Sequence, residues 1–270
     1  MPKFDTPHPI TATVEISAGS VRLVATDRDD TVVDVRPRDE NRSHDVKAAE
    51  QVRVDFSNGT LRVSSDRGFS FPPRGAVVVD IALPRGSQLA ASVASANITA
   101  DGQFGDCRFA SASGDLEVGS VRGNFKADSA SGGVSVHGIS GSASVSTASG
   151  DAVIGDLDGD VKFRAASGSL TVKRLRGNIN SQTASGDVHV AAAVNGGVSA
   201  QAASGEVVVG IAEGTAAQLD LRTRSGEVRN SLTESDGPAE GDETLTVHAR
   251  TASGDVVIQR ALQDGPVTTS

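Results

Sequence analysis

The stretch "STASGDAVIG", Ser146 to Gly155, contains the pentapeptide Thr147-Ala148-Ser149-Gly150-Asp151. The chain writes it again at Thr183–Asp187 and Thr251–Asp255, and with Ser in place of Thr at Ser111–Asp115. Ser-Gly pairs begin at Ser113, Ser131, Ser149, Ser167 and Ser185, at a constant period of 18, and Ser95-Ala96 is a degenerate copy one period earlier. The spacing then loosens to Ser204, Ser225 and Ser253, so the last interval is the longest. A constant period of this kind is the signature of a repeat architecture.

With each Ser counted as position 1, position 2 is glycine in every copy after the first: Gly114, Gly132, Gly150, Gly168, Gly186, Gly205, Gly226 and Gly254. Position 4 carries Ile98, Leu116, Val134, Ala152, Leu170, Val188, Val207, Val228 and Val256, and position 6 repeats Val or Ile. A second glycine recurs at position 11, in Gly123, Gly141, Gly159 and Gly177. Positions 13 and 15 are apolar again, through Cys107, Phe125, Ala143, Val161 and Ile179 and through Phe109, Ala127, Val145 and Phe163. Alternation with period two is that of half-buried strands. The two glycines mark corners that need either φ > 0 or close backbone approach. Two strands and two corners per period describe one coil of a flattened β-solenoid, an all-β fold whose coils stack in register. Eight or nine coils about 4.8 Å apart give a rod about 40 Å long.

Composition agrees. Hydrophobic residues make up 37% of 270 residues, with 30 Gly, 8 Phe and no Trp or Tyr. Small side chains fit a narrow two-sheet interior. The net charge of −9 and the lack of basic tracts interleaved with aromatics argue against a nucleic-acid surface. Cys107 is the only cysteine, so no intrachain disulfide forms, and its place in the apolar column makes it a buried small hydrophobe. The start "MPKFDTPHPITATVEISAG" has no apolar h-region, and the longest apolar run, "GAVVVDIALP", is far below the ~18 residues that span a bilayer. The expected location is cytoplasmic, without membrane insertion.

Residues 1–90 are β-like but out of this register, and the Asn58-Gly59 hairpin signal lies between "VRVDF" and "LRV". They are expected to form an N-terminal antiparallel β unit that caps the first coil, because an open end exposes unpaired edges. Residues 40–50 read as a long connection or a short helix, and "FSFPPRGA", 69–76, as a loop. Residues 91–260 form the solenoid, with an acidic loop at 231–243. Residues 261–270 read as a disordered tail.

These stretches resemble a large bacterial family labelled adhesin-like, built of β-strand repeats and of unknown function. The resemblance is carried by "ISAGSVRLVATDRDDTVVDVRP", "VVVDIALPRGSQL", the SGD-type coils and the closing "TASGDVVIQR". It spans nearly the whole chain. It implies a β-solenoid and a cell-surface adhesin setting, and it supplies no catalytic residues.

Candidate chemistry is weighed against this framework. A catalytic Ser occurs once beside a base and an orienting group. Here Ser-Gly recurs, and His8, His44, His137, His189 and His248 do not recur with it. Eighteen is also the coil length of calcium-binding nonapeptide rolls, but the position-3 column reads Asp115, Gly133, Asp151, Ser169, Asp187, Glu206, Glu227, Asp255. Glu206 and Glu227, in copies adjacent in sequence, are the best calcium candidates. Asp156, Asp158 and Asp160 alternate along one corner and could mimic paired carboxylates, but without aromatic platforms a solvated turn is the better reading. The favoured function is a non-catalytic scaffold or protein-interaction module, with no cofactor, whose partner is an unknown protein or a second copy. On that reading, replacing Asp151 or His137 should change little. The alternative is a metal-dependent or hydrolytic enzyme with a site at the junction of the N-terminal unit and the first coils, drawing on Asp101, Asp106, Arg108 and His137.

Overall fold

In a computed structural model, residues 1–65, 75–233, 237–238 and 241–261 are described. Residues 69–74 of the expected loop at 69–76, parts of the acidic loop and residues 262–270 of the expected tail at 261–270 lie outside the described residues. The chain opens with β1 (Lys3–Asp5), β2 (Thr11–Thr26), β3 (Asp30–Pro37), α1 (Ser43–Glu50), β4 (Val52–Ser57), β5 (Thr60–Ser65) and β6 (Val77–Pro84). The regular region follows as β7 (Gln88–Phe104), β8 (Cys107–Ser113), β9 (Leu116–Arg122), β10 (Phe125–Ser131), β11 (Val134–Ser149), β12 (Ala152–Ser167), β13 (Leu170–Ser185), β14 (Val188–Ser204) and β15 (Val207–Ile211). The chain closes with β16 (Thr215–Ser225), β17 (Val228–Asn230), β18 (Glu243–Ser253) and β19 (Val256–Arg260).

The sequence period becomes parallel pairing in register. Phe125 lies between Cys107 and Ala143, and Val134 between Leu116 and Ala152. The inward residues at positions 4, 6, 13 and 15 stack into columns that are almost wholly buried, with Ile154, Phe163, Leu170 and Val188 at 0% exposure. A single coil could not bury both its faces; the stack does so between two sheets. One such core runs without a break from Ile10 to Ile258.

Both glycine columns sit against a carbonyl of the neighbouring rung, and they differ in backbone conformation. At the position-11 bend, φ is +144° at Gly123, +140° at Gly141, +138° at Gly159 and +128° at Gly177. β11, β12 and β13 turn this corner without interruption, while the strand breaks between β9 and β10 at Gly123, and glycine alone adopts that backbone cheaply. At the position-2 corner, Gly132, Gly150, Gly168 and Gly186 have no left-handed φ. Glycine is needed there because a Cβ would overlap the carbonyl oxygen of the glycine one rung below, Gly132 in the case of Gly150.

The rod is longer than the repeat alone indicates. β2 lies parallel to β7 with Gly19 opposite Ala96, so it is a rung in its own right. β5 and β6 together lie parallel along the other side of β2 and form a further rung. Eleven rungs can be traced among the described residues, a stack roughly 50 Å long. The antiparallel pairs expected at this end are present outside those rungs: β3 on β6, β1 on β3, and β4 on β5. The β4–β5 hairpin turns at Asn58 and Gly59, both at positive φ. Residues 43–50 form the short helix, whose buried Asp45 accepts the Ala76 N–H at 2.9 Å.

At the far end, order in space departs from order in sequence. β18 pairs with β14 on one side and β16 on the other, and β19 lies between β15 and β17. The last coil of the chain is therefore the second rung from the end, and 215–230 is the outermost.

Candidate functional site

The corner carried by the repeated pentapeptide is the obvious candidate, because it gathers hydroxyls and carboxylates in a column. Its polar atoms are engaged in joining one rung to the next. The Asp115 Oδ1 accepts the Gly133 N–H at 3.0 Å, and the Asp151 Oδ1 accepts the Ser169 N–H at 2.8 Å. The Asp187 Oδ1 accepts the Glu206 N–H at 2.8 Å, and the Asp255 Oδ1 accepts the Glu227 N–H at 2.9 Å. At two of the places where the column has no acid, another side-chain oxygen serves. The Ser169 Oγ accepts the Asp187 N–H at 3.1 Å, and the Asn97 Oδ1 accepts the Asp115 N–H at 3.1 Å. The degenerate copy "SAN" at 95–97 shows that a neutral amide oxygen fills the same clamping place as a carboxylate.

The first residue of the pentapeptide acts on the same corner. Thr223 donates its hydroxyl to the Gly254 carbonyl at 2.9 Å, and Thr251 donates to that of Gly205 at 3.2 Å. Thr147 is different: its buried Oγ1 has no hydrogen-bond partner.

The structure separates the two calcium candidates. Asp255 lies between Glu206 and Glu227, because the last coil of the chain is inserted between their rungs. Adjacency in sequence therefore does not become adjacency in space. Glu227 is held by Arg229 at 2.8 Å, and the same guanidinium reaches Asp255 at 3.3 Å. The hydrogen bond to Glu227, with the charges of Glu227 and Asp255, holds the Arg229 pKa above its ordinary value. Among the described residues no group of three or more His, Cys, Asp or Glu converges as metal ligands do.

The four junction residues do not meet either. Asp101 accepts from Arg22 at 3.2 Å, and Asp106 accepts the Asn124 N–H at 2.7 Å. Arg108 projects from the sheet that contains β8, beside Ala90 and Lys126. His137 stands on the opposite sheet, on the rim of an open trough of about 820 Å³ shared with Asp156, Lys173 and Arg174. Asp156, Asp158 and Asp160 stand in register with Arg174, Arg176 and Asn178 of the next rung, and Asp160 accepts the Asn178 Nδ2–H at 2.7 Å. Opposite charges side by side on neighbouring strands support the sheet. Cys107 is stacked between Leu89 and Phe125; burial first and the charge of Asp106 second push its thiol up to about 12. A thiol held that high is not a nucleophile at neutral pH.

No helix among the described residues is long and apolar enough to cross a membrane. No curated protein gives a match to the chain. Among solved structures, a "putative lipid binding protein" from Parabacteroides distasonis is similar at 12% identity, covering 97% of this chain and 96% of its own, with a TM-score of 0.42. A "putative adhesin" from the same organism is similar at 11% identity over 96% of this chain and 95% of its own, with a TM-score of 0.43. A "putative cell adhesion protein" from Clostridium sporogenes is similar at 9% identity over 96% and 98%, with a TM-score of 0.21. The family model described as Toastrack DUF4097 matches residues 12–259, and the chain belongs to that family, whose function is unknown.

Proposed function

We propose that this protein is a non-catalytic β-solenoid scaffold that presents its flat outer faces to a macromolecular partner, in the manner of an adhesin-like module. The observation that carries this reading is the use of the corner column. Asp115, Asp151, Asp187 and Asp255 each accept a backbone N–H of the neighbouring rung, so the most repeated polar groups hold the rod together. Within residues 1–90 the antiparallel strands β1, β3 and β4 act as the cap of that rod, and the outward faces of its rungs, those of β2, β5 and β6 included, form its display surface.

Cross-linking of the full chain in its native cell extract, followed by substitution of outward side chains on each face, tests the reading. Capture of a protein partner that is lost on substitution of one face, and retained in His137→Ala and Asp106→Asn, is the expected result. Turnover of a small molecule that disappears in either of those two variants would overturn it. The corner acids serve as clamps rather than calcium ligands, so melting curves with and without calcium should superimpose. A bound ion at about 100 times its Kd would add about 2.7 kcal/mol and be plain to see.

A further inference from the structure

We propose that the C-terminal end of the rod is a homodimer interface, in which β16 pairs antiparallel with β16 of a second copy about a two-fold axis at Leu221. The proposal rests on the reading of the chain as an interaction module and names the partner at this one surface.

Among the described residues β16 pairs with β18 on one side only, and β17 with β19 on one side only. The outer side of this rung is a sheet edge. Its inward residues are also the least covered of their columns. Leu219 and Leu221 are half-buried, whereas Val247 and Ala249 one rung inside are 0% exposed. Val228 on the other sheet is 41% exposed. The direction of the free backbone groups follows from the rungs below. At the position that Leu219 occupies, Leu89 and Cys107 donate their N–H to the next rung, to Asp106 and Asn124 carbonyls at 3.0 and 2.8 Å. Leu219, and with the period of two Leu221, therefore aim N–H and C=O away from the stack, at whatever lies beyond the last rung.

An antiparallel partner centred on Leu221 uses those groups. Leu221 and its copy exchange both of their backbone hydrogen bonds, and Leu219 does the same with the copy's Thr223. The outward side chains decide the register. Asp220 falls opposite the copy's Arg222 twice across the axis, and Gln218 falls opposite the copy's Arg224. Shifting the axis by one residue would set Asp220 against its own copy, which like-charge repulsion disfavours. The Asp220–Arg222 pairs occupy the closely spaced, non-hydrogen-bonded sites of an antiparallel ladder, where side chains meet best. Two identical edges joined in this way form an isologous contact, which closes at two copies rather than growing into a fibre. The other end of the rod is narrowed to the short strands β4 and β1, the kind of edge that discourages further pairing.

The test uses sedimentation of the full chain across a series from about 1 to about 100 µM, the range in which a modest interface associates. The wild type should move from monomer to dimer. Asp220→Arg and Arg222→Asp should each remain monomeric, with at least a tenfold weaker association. Mixed in equal amounts, the two variants should dimerise again, because each chain then offers the charge the other lacks. The double variant D220R/R222D keeps the intrachain pair and should dimerise like the wild type, which guards against a folding defect in either single variant. A wild type that stays monomeric throughout, single variants that dimerise unchanged, or a mixture and a double variant that both fail would overturn the proposal. A monomeric wild type that still captures a partner in extract leaves the module reading standing. A dimer that turns over a small molecule leaves this interface standing and removes that reading.

Discussion

The two ends of the rod share one device and differ in another. At each end the rung-forming segment nearest the chain terminus is inserted as the second rung, and a segment from further inside the chain is outermost; the three-residue β1 pairs only with β3 and forms no rung. β2 lies between β7 and the rung of β5 and β6; β18 and β19 lie between β14 and β15 on one side and β16 and β17 on the other. A terminal strand paired on one edge frays readily, whereas one paired on both edges opens only if its neighbour leaves first. The ends differ in closure. At the N-terminal end antiparallel β1, β3 and β4 and helix α1 surround the last parallel rung, and Phe4 stacks on Phe56 with ring centroids 5.1 Å apart. At the C-terminal end the half-buried apolar residues that the described chain packs on the core are Ala217, Leu219, Leu221 and Leu232. One end is sealed by the chain itself; at the other, the described residues pair the outermost strands on one side only.

The comparison breaks most easily at the inserted rungs. A Cβ at Gly254, where φ is +144°, would overlap the Gly205 carbonyl, and one at Gly19, where φ is +127°, would overlap Val77 backbone atoms. Gly254→Val and Gly19→Val should each cost more than about 3 kcal/mol, a clash plus a strained backbone. Gly226→Val, in the outermost rung, should cost less because that rung can peel away alone. Chemical denaturation of the three variants measures the order, and equal losses would show that rung position does not matter. Hydrogen exchange of the wild type at a concentration where it is monomeric gives the same answer without mutation: amides of β16 and β17 should exchange before those of β18 and β19, although the latter come last in sequence.

The next effect belongs to the sealed end. Phe56→Ala removes half of the aromatic pair from a partly buried site and should lower stability by about 2 kcal/mol, less than the loss at a full core position. A melt unchanged by it would mean that the antiparallel strands alone close the core. Smaller still is the corner clamp. Asp255→Ala leaves the Glu227 N–H without its acceptor and should cost about 1 kcal/mol, and Asp151→Ala the same through Ser169. This replaces the near-neutral outcome that an Asp151 merely facing water predicts. Asp151→Asn, which keeps an acceptor as Asn97 does, should restore most of the loss in a thermal-melt series.

The smallest effects depend on pH and separate the ends by sign. Hydrogen bonds from Lys3 and Arg28 hold the Asp30 carboxyl below its ordinary value, and at the other end Arg222 first and Arg250 after it do so for Asp220. A depressed carboxyl stabilises the fold above its unfolded pKa, about 3.9, and that contribution is lost as pH falls through the lower folded value. Both ends should loosen together below about pH 4. Lys3, raised above 10.5 by Asp30, contributes below its unfolded pKa and loses that contribution as pH rises through the folded value, so alkali should loosen the N-terminal end alone. Exchange rates at β1 and β17 across pH report both. Loosening of β17 in alkali, with β1 unchanged, would contradict the assignment.

The sequence period, the buried columns, the two glycine corners and the burial of Cys107 were all legible in the chain. Each follows from what a residue and its equivalents on the neighbouring coils have in common, and local repetition records that. The reason for each glycine was not legible, since a left-handed φ at Gly159 and a carbonyl beneath Gly150 select the same residue. Nor was the role of the position-3 acids, because a carboxylate that ligates an ion and one that accepts an N–H from the neighbouring coil look alike in a string. The tertiary structure alone decided the order of rungs at the two ends. A free strand edge offers the same donors and acceptors to any strand of matching pattern, so a coil fits equally well beyond its sequence neighbour or inserted beneath it. That choice placed Asp255 between Glu206 and Glu227, added two rungs before residue 88, and left Leu219 and Leu221 as the last row of the core.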